Sequence, residues 1–126
     1  MSEPLRGIVV SHSAVAQSLV AAVAAIAGVE DALLPVSNEG CDERALADRL
    51  TTAIGGKPAV LFVDLPGGSC LTGAARYARG KSDLAVVTGV NLAMLLDFVF
   101  HRDVTPAEAA KRAAEAGTRA IRIPAA

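Results

Sequence analysis

Two residues able to carry chemistry stand at the ends of two apolar runs. His12 follows Leu5-Arg6-Gly7-Ile8-Val9-Val10-Ser11, and Asp64 follows Ala59-Val60-Leu61-Phe62-Val63. Both runs read as buried strands, so an imidazole and a carboxylate each end a strand at its carboxyl edge. Leu65-Pro66-Gly67-Gly68-Ser69 comes directly after the carboxylate. Its backbone N–H groups and its hydroxyl can hold an anion where the next helix starts. Ligands of open α/β sheets bind at that edge. A carboxylate on Nδ1–H fixes the imidazole tautomer and leaves a lone pair on Nε2. It also stabilises the cation formed once Nε2 takes a group. The combination points to a phosphoryl group carried on His12.

The flanking sequence supplies elements that could place these residues. Ala14 to Ala27 sets Val15, Leu19, Val23 and Ile26 on one helical face, and Gly28 ends the helix. Ser13 opens that helix, whose positive end keeps the neighbouring ring unprotonated and nucleophilic. Ala32 to Val36 is a second strand, and Asp42 can cap a helix holding Leu46, Leu50 and Ile54. A third helix is expected from about Cys70 to Ala78 and a fourth strand over Leu84 to Thr88. An apolar helix follows from Val90 to about Phe100. Thr105-Pro106-Ala107-Glu108 then starts a last helix with a capping box, expected to stop at Gly117. Thr118 to Ile123 alternates arginine with apolar residues and reads as a closing edge strand.

This order gives an α/β fold, a three-layer αβα arrangement of the flavodoxin-like type. Four parallel strands in the order 2-1-3-4 are expected, plus an antiparallel carboxy-terminal edge strand open to exchange between subunits. In that order the first and third strands are neighbours, so His12 and Asp64 meet. No linker or repeat divides residues 1–126, which read as one domain.

Composition narrows the function classes. Twelve Lys and Arg nearly balance thirteen Asp and Glu, and three Phe and one Tyr are the only aromatics. Neither the charge nor the stacking surface for nucleic acid is there. The apolar segment near Val90 to Phe100 is broken by Asn91 and Asp97 and is too short to span a bilayer. The amino terminus has no secretory pattern, so a cytoplasmic protein is expected. Cys41 and Cys70 show no metal-ligand spacing, and neither a metal nor another cofactor is expected. Cys70 is expected at a helix amino terminus, where a thiol becomes more acidic.

Three ordered blocks carry a resemblance. Gly7-Ile8-Val9-Val10-Ser11-His12, Val63-Asp64-Leu65-Pro66-Gly67-Gly68-Ser69 and Val87-Thr88-Gly89-Val90-Asn91-Leu92-Ala93-Met94-Leu95-Leu96 are similar to the enzyme IIA domain of the mannose-type sugar phosphotransferase system (PTS). The resemblance covers nearly the whole chain. It implies a phosphotransferase acting through phosphohistidine, with His12 as the residue phosphorylated by HPr. Asp64 would orient that histidine, and Gly67, Gly68 and Ser69 would bind the phosphoryl group. The next acceptor would be a histidine of enzyme IIB, with the membrane subunits IIC and IID acting downstream in sugar uptake. The family usually dimerises, and Thr118 to Ile123 matches its exchangeable strand. The chain departs from the family pattern at Ser13, Pro66, Cys70, Leu71, Thr72 and Ala93, all at the rim of the site. Cys70 stands where the family usually has proline.

Alternatives stay open at this level. Ser11-His12-Ser13 also occurs in the phosphodonor subunit of PTS-dependent dihydroxyacetone kinase, which is similar in fold. A free-standing IIA protein that reports phosphorylation state to a regulator and transports no sugar is another. His12, Asp64 and Ser69 contain the residue types of a hydrolase triad, but the G-x-S-x-G pattern is missing. Arg76 and Arg79 read either as solvated charges or as attractants for a phosphocarrier. Asn91 reads as a helix cap, a pocket residue, or both. His101 reads as structural, with Asp103 as the acidic residue beside it.

Overall fold

The computed structural model describes residues 3–125. Nine elements follow one another: β1 (Arg6–Ser11), α1 (Val15–Ala27), β2 (Leu33–Ser37), α2 (Glu43–Ile54), β3 (Ala59–Val63), α3 (Gly68–Ala78), β4 (Leu84–Thr88), α4 (Leu92–Val99) and α5 (Pro106–Arg119). The strands pair in parallel in the order β2-β1-β3-β4. That is the order expected for a doubly wound sheet. In the register of the central pair Val10 lies opposite Val63, so β1 and β3 finish side by side.

Alternate residues of the two central strands feed two cores. Val9, Val60 and Phe62 face α1, α4 and α5, where Val23, Leu95, Phe98 and Ala113 are buried. Ile8, Val10, Leu61 and Val63 face α2 and α3 and meet Leu46, Leu50, Ile54 and Ala74. Burial on both faces is why β1 and β3 read as continuous apolar runs. Phe62 and Phe98 pack edge to face, with ring centroids 5.0 Å apart.

Helix ends follow local chemistry. Gly28 adopts φ 71° and returns its N–H to the Ala24 carbonyl. Asp42 accepts from the Ala45 N–H, Asn91 from Met94 and Thr105 from Glu108. The capping box takes a different form from the expected one, because the Thr105 hydroxyl also donates to the Glu108 carboxylate.

Three expectations are corrected. The buried face of α1 runs through Ala16 and Val23, with Leu19, Val20 and Ala27 packed beside them, while Val15 and Ile26 are exposed. Ser13 has a left-handed φ of 49°, and the Ala16 N–H is anchored on the Ser11 hydroxyl. Those two features start the helix one residue later and shift its apolar stripe. Gly117 does not end α5. It is buried in the helix because a Cβ there would stand 2.8 Å from the Met94 methyl, so it serves close packing of α4 against α5.

The third correction is the carboxy-terminal strand. Thr118 and Arg119 belong to α5, residues 121–125 form no strand, and Ile121 and Ile123 are 78% and 99% exposed. The alternation of arginine with apolar residues is the end of a helix running into a tail without regular structure. Within the described residues β4 pairs on one side only, with β3.

Candidate functional site

The ends of β1 and β3 bring His12 and Asp64 into contact. The Asp64 N–H still donates to the Val10 carbonyl at 3.2 Å, which holds the aspartate in line with the ladder. Asp64 Oδ2 accepts twice from one residue: from the His12 N–H at 2.9 Å and from His12 Nδ1 at 2.8 Å. Asp64 Oδ1 accepts from the Leu65 N–H at 3.0 Å. An ionised carboxylate only accepts, so Nδ1 carries a proton, and in the neutral ring the lone pair is then on Nε2. Burial raises the Asp64 pKa, but the hydrogen bonds from His12, the charge of His12 and the Leu65 N–H outweigh it. The result lies below the ordinary carboxyl value.

The two side chains differ in access. Asp64 is 13% exposed and His12 44%. A screened orienting group and a solvent-facing ring suit a group delivered from outside.

Ser11 fixes the ring's backbone. It is fully buried, and its hydroxyl accepts from the Ala16 N–H at 2.6 Å and donates to the His12 carbonyl at 3.1 Å. One side chain therefore ties the strand end to the first turn of α1. Ser11 lies three residues before the N-cap Ala14, outside the ordinary capping position, so no capping signal marks it in the sequence.

The glycine-rich turn approaches the free side of the ring. Gly67 is extended and precedes α3, whereas Gly68 has φ 88°. A Cβ on Gly68 would lie 3.9 Å from His12 Nε2. That conformation disfavours any other residue, and it sets the start of α3, with its unpaired backbone N–H groups, beside the His12 ring. Ser69 is exposed, and its hydroxyl oxygen accepts from Asn38 Nδ2 at 3.0 Å. With its oxygen accepting, the Ser69 hydroxyl has its hydrogen left to give, to the neighbouring Cys70 sulfur or to an incoming anion. Asn38 lies after β2, and its own N–H is held by the Ser11 carbonyl at 3.0 Å. No motif marks it in the sequence.

Cys70 departs from expectation. It is fully buried, 3.7 Å from His12 Nδ1. Burial first, and then the charge of Asp64, push its thiol up to about 11 despite a hydrogen bond with Ser69. Desolvation thus overrides the acidifying effect of the helix amino terminus.

The remaining candidates lie elsewhere. Asn91 caps α4 and donates to the Gly117 carbonyl at 3.2 Å, so its polar atoms serve the α4–α5 contact. Arg76 pairs with Glu43, and Arg79 is exposed at the end of α3. His101 has an acidic neighbour one turn back: Nδ1 donates to the Asp97 carbonyl at 2.8 Å and lies 3.5 Å from Asp97 Oδ1. Arg112 donates to His101 Nε2 at 2.8 Å. Of the two histidines, His101 has both ring nitrogens engaged, whereas His12 keeps Nε2 toward solvent. The His101 side also opens a cavity of about 600 Å³ beside Phe100, Arg102 and Lys111, away from the Asp64 turn.

Comparison with known proteins follows the same lines. The sequence model of the EIIA-man family, described as the PTS system fructose IIA component, matches residues 7–115. The chain belongs to this family. The fold is shared with EIIA of Streptococcus agalactiae, at a TM-score of 0.86 and 18% identity over 94% of this chain and 96% of that one. It is shared with the mannose/sorbose-specific IIA subunit of Enterococcus faecalis, at 0.85 and 22% identity over 98% and 97%. A PTS IIA protein associated with the fucose utilization operon of Streptococcus pneumoniae follows at 0.70 and 18% identity, over 97% and 96%. No curated protein matches the sequence. The chain is a mannose-family IIA component of the phosphotransferase system, and such components take part in phosphotransfer. No helix among the described residues is long and apolar enough to cross a membrane.

Proposed function

We propose that this IIA protein is a phosphohistidine carrier, accepting a phosphoryl group from phospho-HPr on His12 Nε2 and passing it to a histidine of enzyme IIB during sugar uptake. The two hydrogen bonds that Asp64 Oδ2 accepts from His12 carry this reading, since they fix the ring in the tautomer whose neutral form has its nucleophilic lone pair on Nε2. In the forward step Nε2 bonds to phosphorus as the donor's P–N bond breaks. The ring proton stays on Nδ1, so the phosphorylated ring is a cation and Asp64 neutralises it. The Gly67, Gly68 and Ser69 N–H groups and the Ser69 hydroxyl hold the phosphoryl oxygens. The return step to IIB reverses these contacts.

Exposed Val15, Leu65 and Pro66 follow His12 and Asp64 closely in the chain and would give a partner protein apolar surface to dock on. A homodimer is part of the same proposal. The open edge of β4 and the exposed Ile121 and Ile123 of the tail support pairing of each tail with the other copy's sheet. Incubation with enzyme I, HPr and phosphoenolpyruvate, followed by candidate IIB proteins, tests the relay. Labelled His12 that discharges to a IIB supports transport, and label that no IIB accepts favours a regulatory phosphoprotein.

A further inference from the structure

Cys70 adds a third donor to the His12 site, and chain separation hides it. Its Sγ is 3.7 Å from His12 Nδ1, which is 2.8 Å from Asp64 Oδ2. The donor atoms of His12, Asp64 and Cys70 all lie within 4.8 Å of one another. A thiolate, an imidazole and a carboxylate are the ligand types of three-ligand zinc sites, whose fourth position holds water. Bonds of about 2.0–2.3 Å to a tetrahedral ion would hold such atoms roughly 3.3–3.6 Å apart. The Nδ1–Oδ2 contact then opens slightly and the thiol closes in. The His12 ring is 44% exposed, and its rotation would open the way for the ion.

We infer that His12, Asp64 and Cys70 form a reversible site for a thiophilic divalent cation of the zinc type, and that its occupation switches off phosphorylation of His12. The second half of this statement rests on the proposed carrier role. The switch follows from the ring's proton count. A neutral imidazole has one N–H and one lone pair. In the metal-free site the proton is on Nδ1 and the lone pair on Nε2. An ion bonded at Nδ1 displaces that proton, Nε2 takes one up from solvent, and the Cys70 thiol gives its proton to solvent. Asp64 stays an anion. Nε2 then has no lone pair to offer phosphorus. The positive ends of α1 and α3 oppose the ion, so it binds more weakly than in a closed four-ligand site and leaves readily.

The test uses the full chain, unphosphorylated and kept reduced. Titration with Co²⁺ should give one ion per chain and a thiolate-to-cobalt charge-transfer band. The band should disappear in Cys70→Ser and Cys70→Ala and persist in Cys41→Ser. In the unaltered protein, ¹⁵N NMR on adding Zn²⁺ should move the His12 proton from Nδ1 to Nε2. Stoichiometric Zn²⁺ should then cut labelling of His12 by phospho-HPr tenfold or more, reversibly with a chelator, and leave Cys70→Ser labelling unaffected. Absence of the band, its survival in both Cys70 variants, or an unchanged His12 tautomer with Zn²⁺ would overturn the site. Undiminished labelling of the zinc-bound protein would overturn the switch. If the metal-free protein takes no phosphoryl group at all, the carrier role fails while the cobalt and NMR results still decide the site.

Discussion

Asp64→Asn isolates what the carboxylate does. In the folded protein Asp64 Oδ2 accepts both the backbone N–H and Nδ1 of His12. An amide of the same shape keeps one acceptor oxygen but loses the charge. A hydrogen bond to a charged group contributes about 1 kcal/mol more than a neutral one. As the phosphorylated ring becomes a cation, charge attraction at contact distance adds up to about 4 kcal/mol at an effective dielectric near 20. His12 is 44% exposed, so solvent removes much of that and roughly 1–2 kcal/mol remains. The sum is about 2–3 kcal/mol of transition-state stabilisation, and about 1.4 kcal/mol is a factor of ten. Rapid-quench measurement of phosphotransfer from phospho-HPr should show a slowing of about 10²-fold, with the circular dichroism spectrum unchanged. A folded Asp64→Asn protein that transfers at the parent rate would show that the carboxylate plays no part in the chemistry.

Ser11→Ala removes the acceptor of the Ala16 N–H inside a fully buried environment. It should cost about 1–2 kcal/mol in urea unfolding and slow transfer by loosening His12. The Asp64 carboxyl titrates below its ordinary value of 3.8 in the folded chain. Its contribution to stability is therefore complete above about pH 4 and disappears as pH falls through the lower folded value. Unfolding curves of the parent and of Asp64→Asn should converge in acid, and a constant gap down to pH 2 would contradict this. Removing residues 121–126 should convert the proposed dimer to a monomer at micromolar concentration, read by light scattering. A truncated chain that dimerises as well as the parent would exclude the tail from the interface.

The parallel sheet was legible because β1 and β3 are buried on both faces, which demands uninterrupted apolar runs. The strand order then brought His12 and Asp64 together, and the contact follows from Val10 pairing with Val63. The turn was legible because Gly-Gly-Ser directly follows the strand end. Asn38 was not, since its bond to Ser69 joins two loops by side-chain placement alone. The state of Cys70 depended on whether burial or the helix end dominates its thiol, and sequence position reveals only the second. Gly117 resembled a helix terminator because packing against Met94 leaves no local signature. The same gap lengthened α5 and removed the expected strand. Asp97 was missed as the partner of His101 because the i, i+4 pair lies where α4 gives way to its C-cap.

The central claim is that His12 Nε2 carries the phosphoryl group. Its most direct test is mass-spectrometric and chemical identification of the residue labelled by phospho-HPr. One label per chain is expected, on His12, stable in alkali and lost in acid as a phosphoramidate, and absent from His12→Ala. Full labelling of His12→Ala, label on His101 or Ser69, or retention of the label in acid would contradict the account.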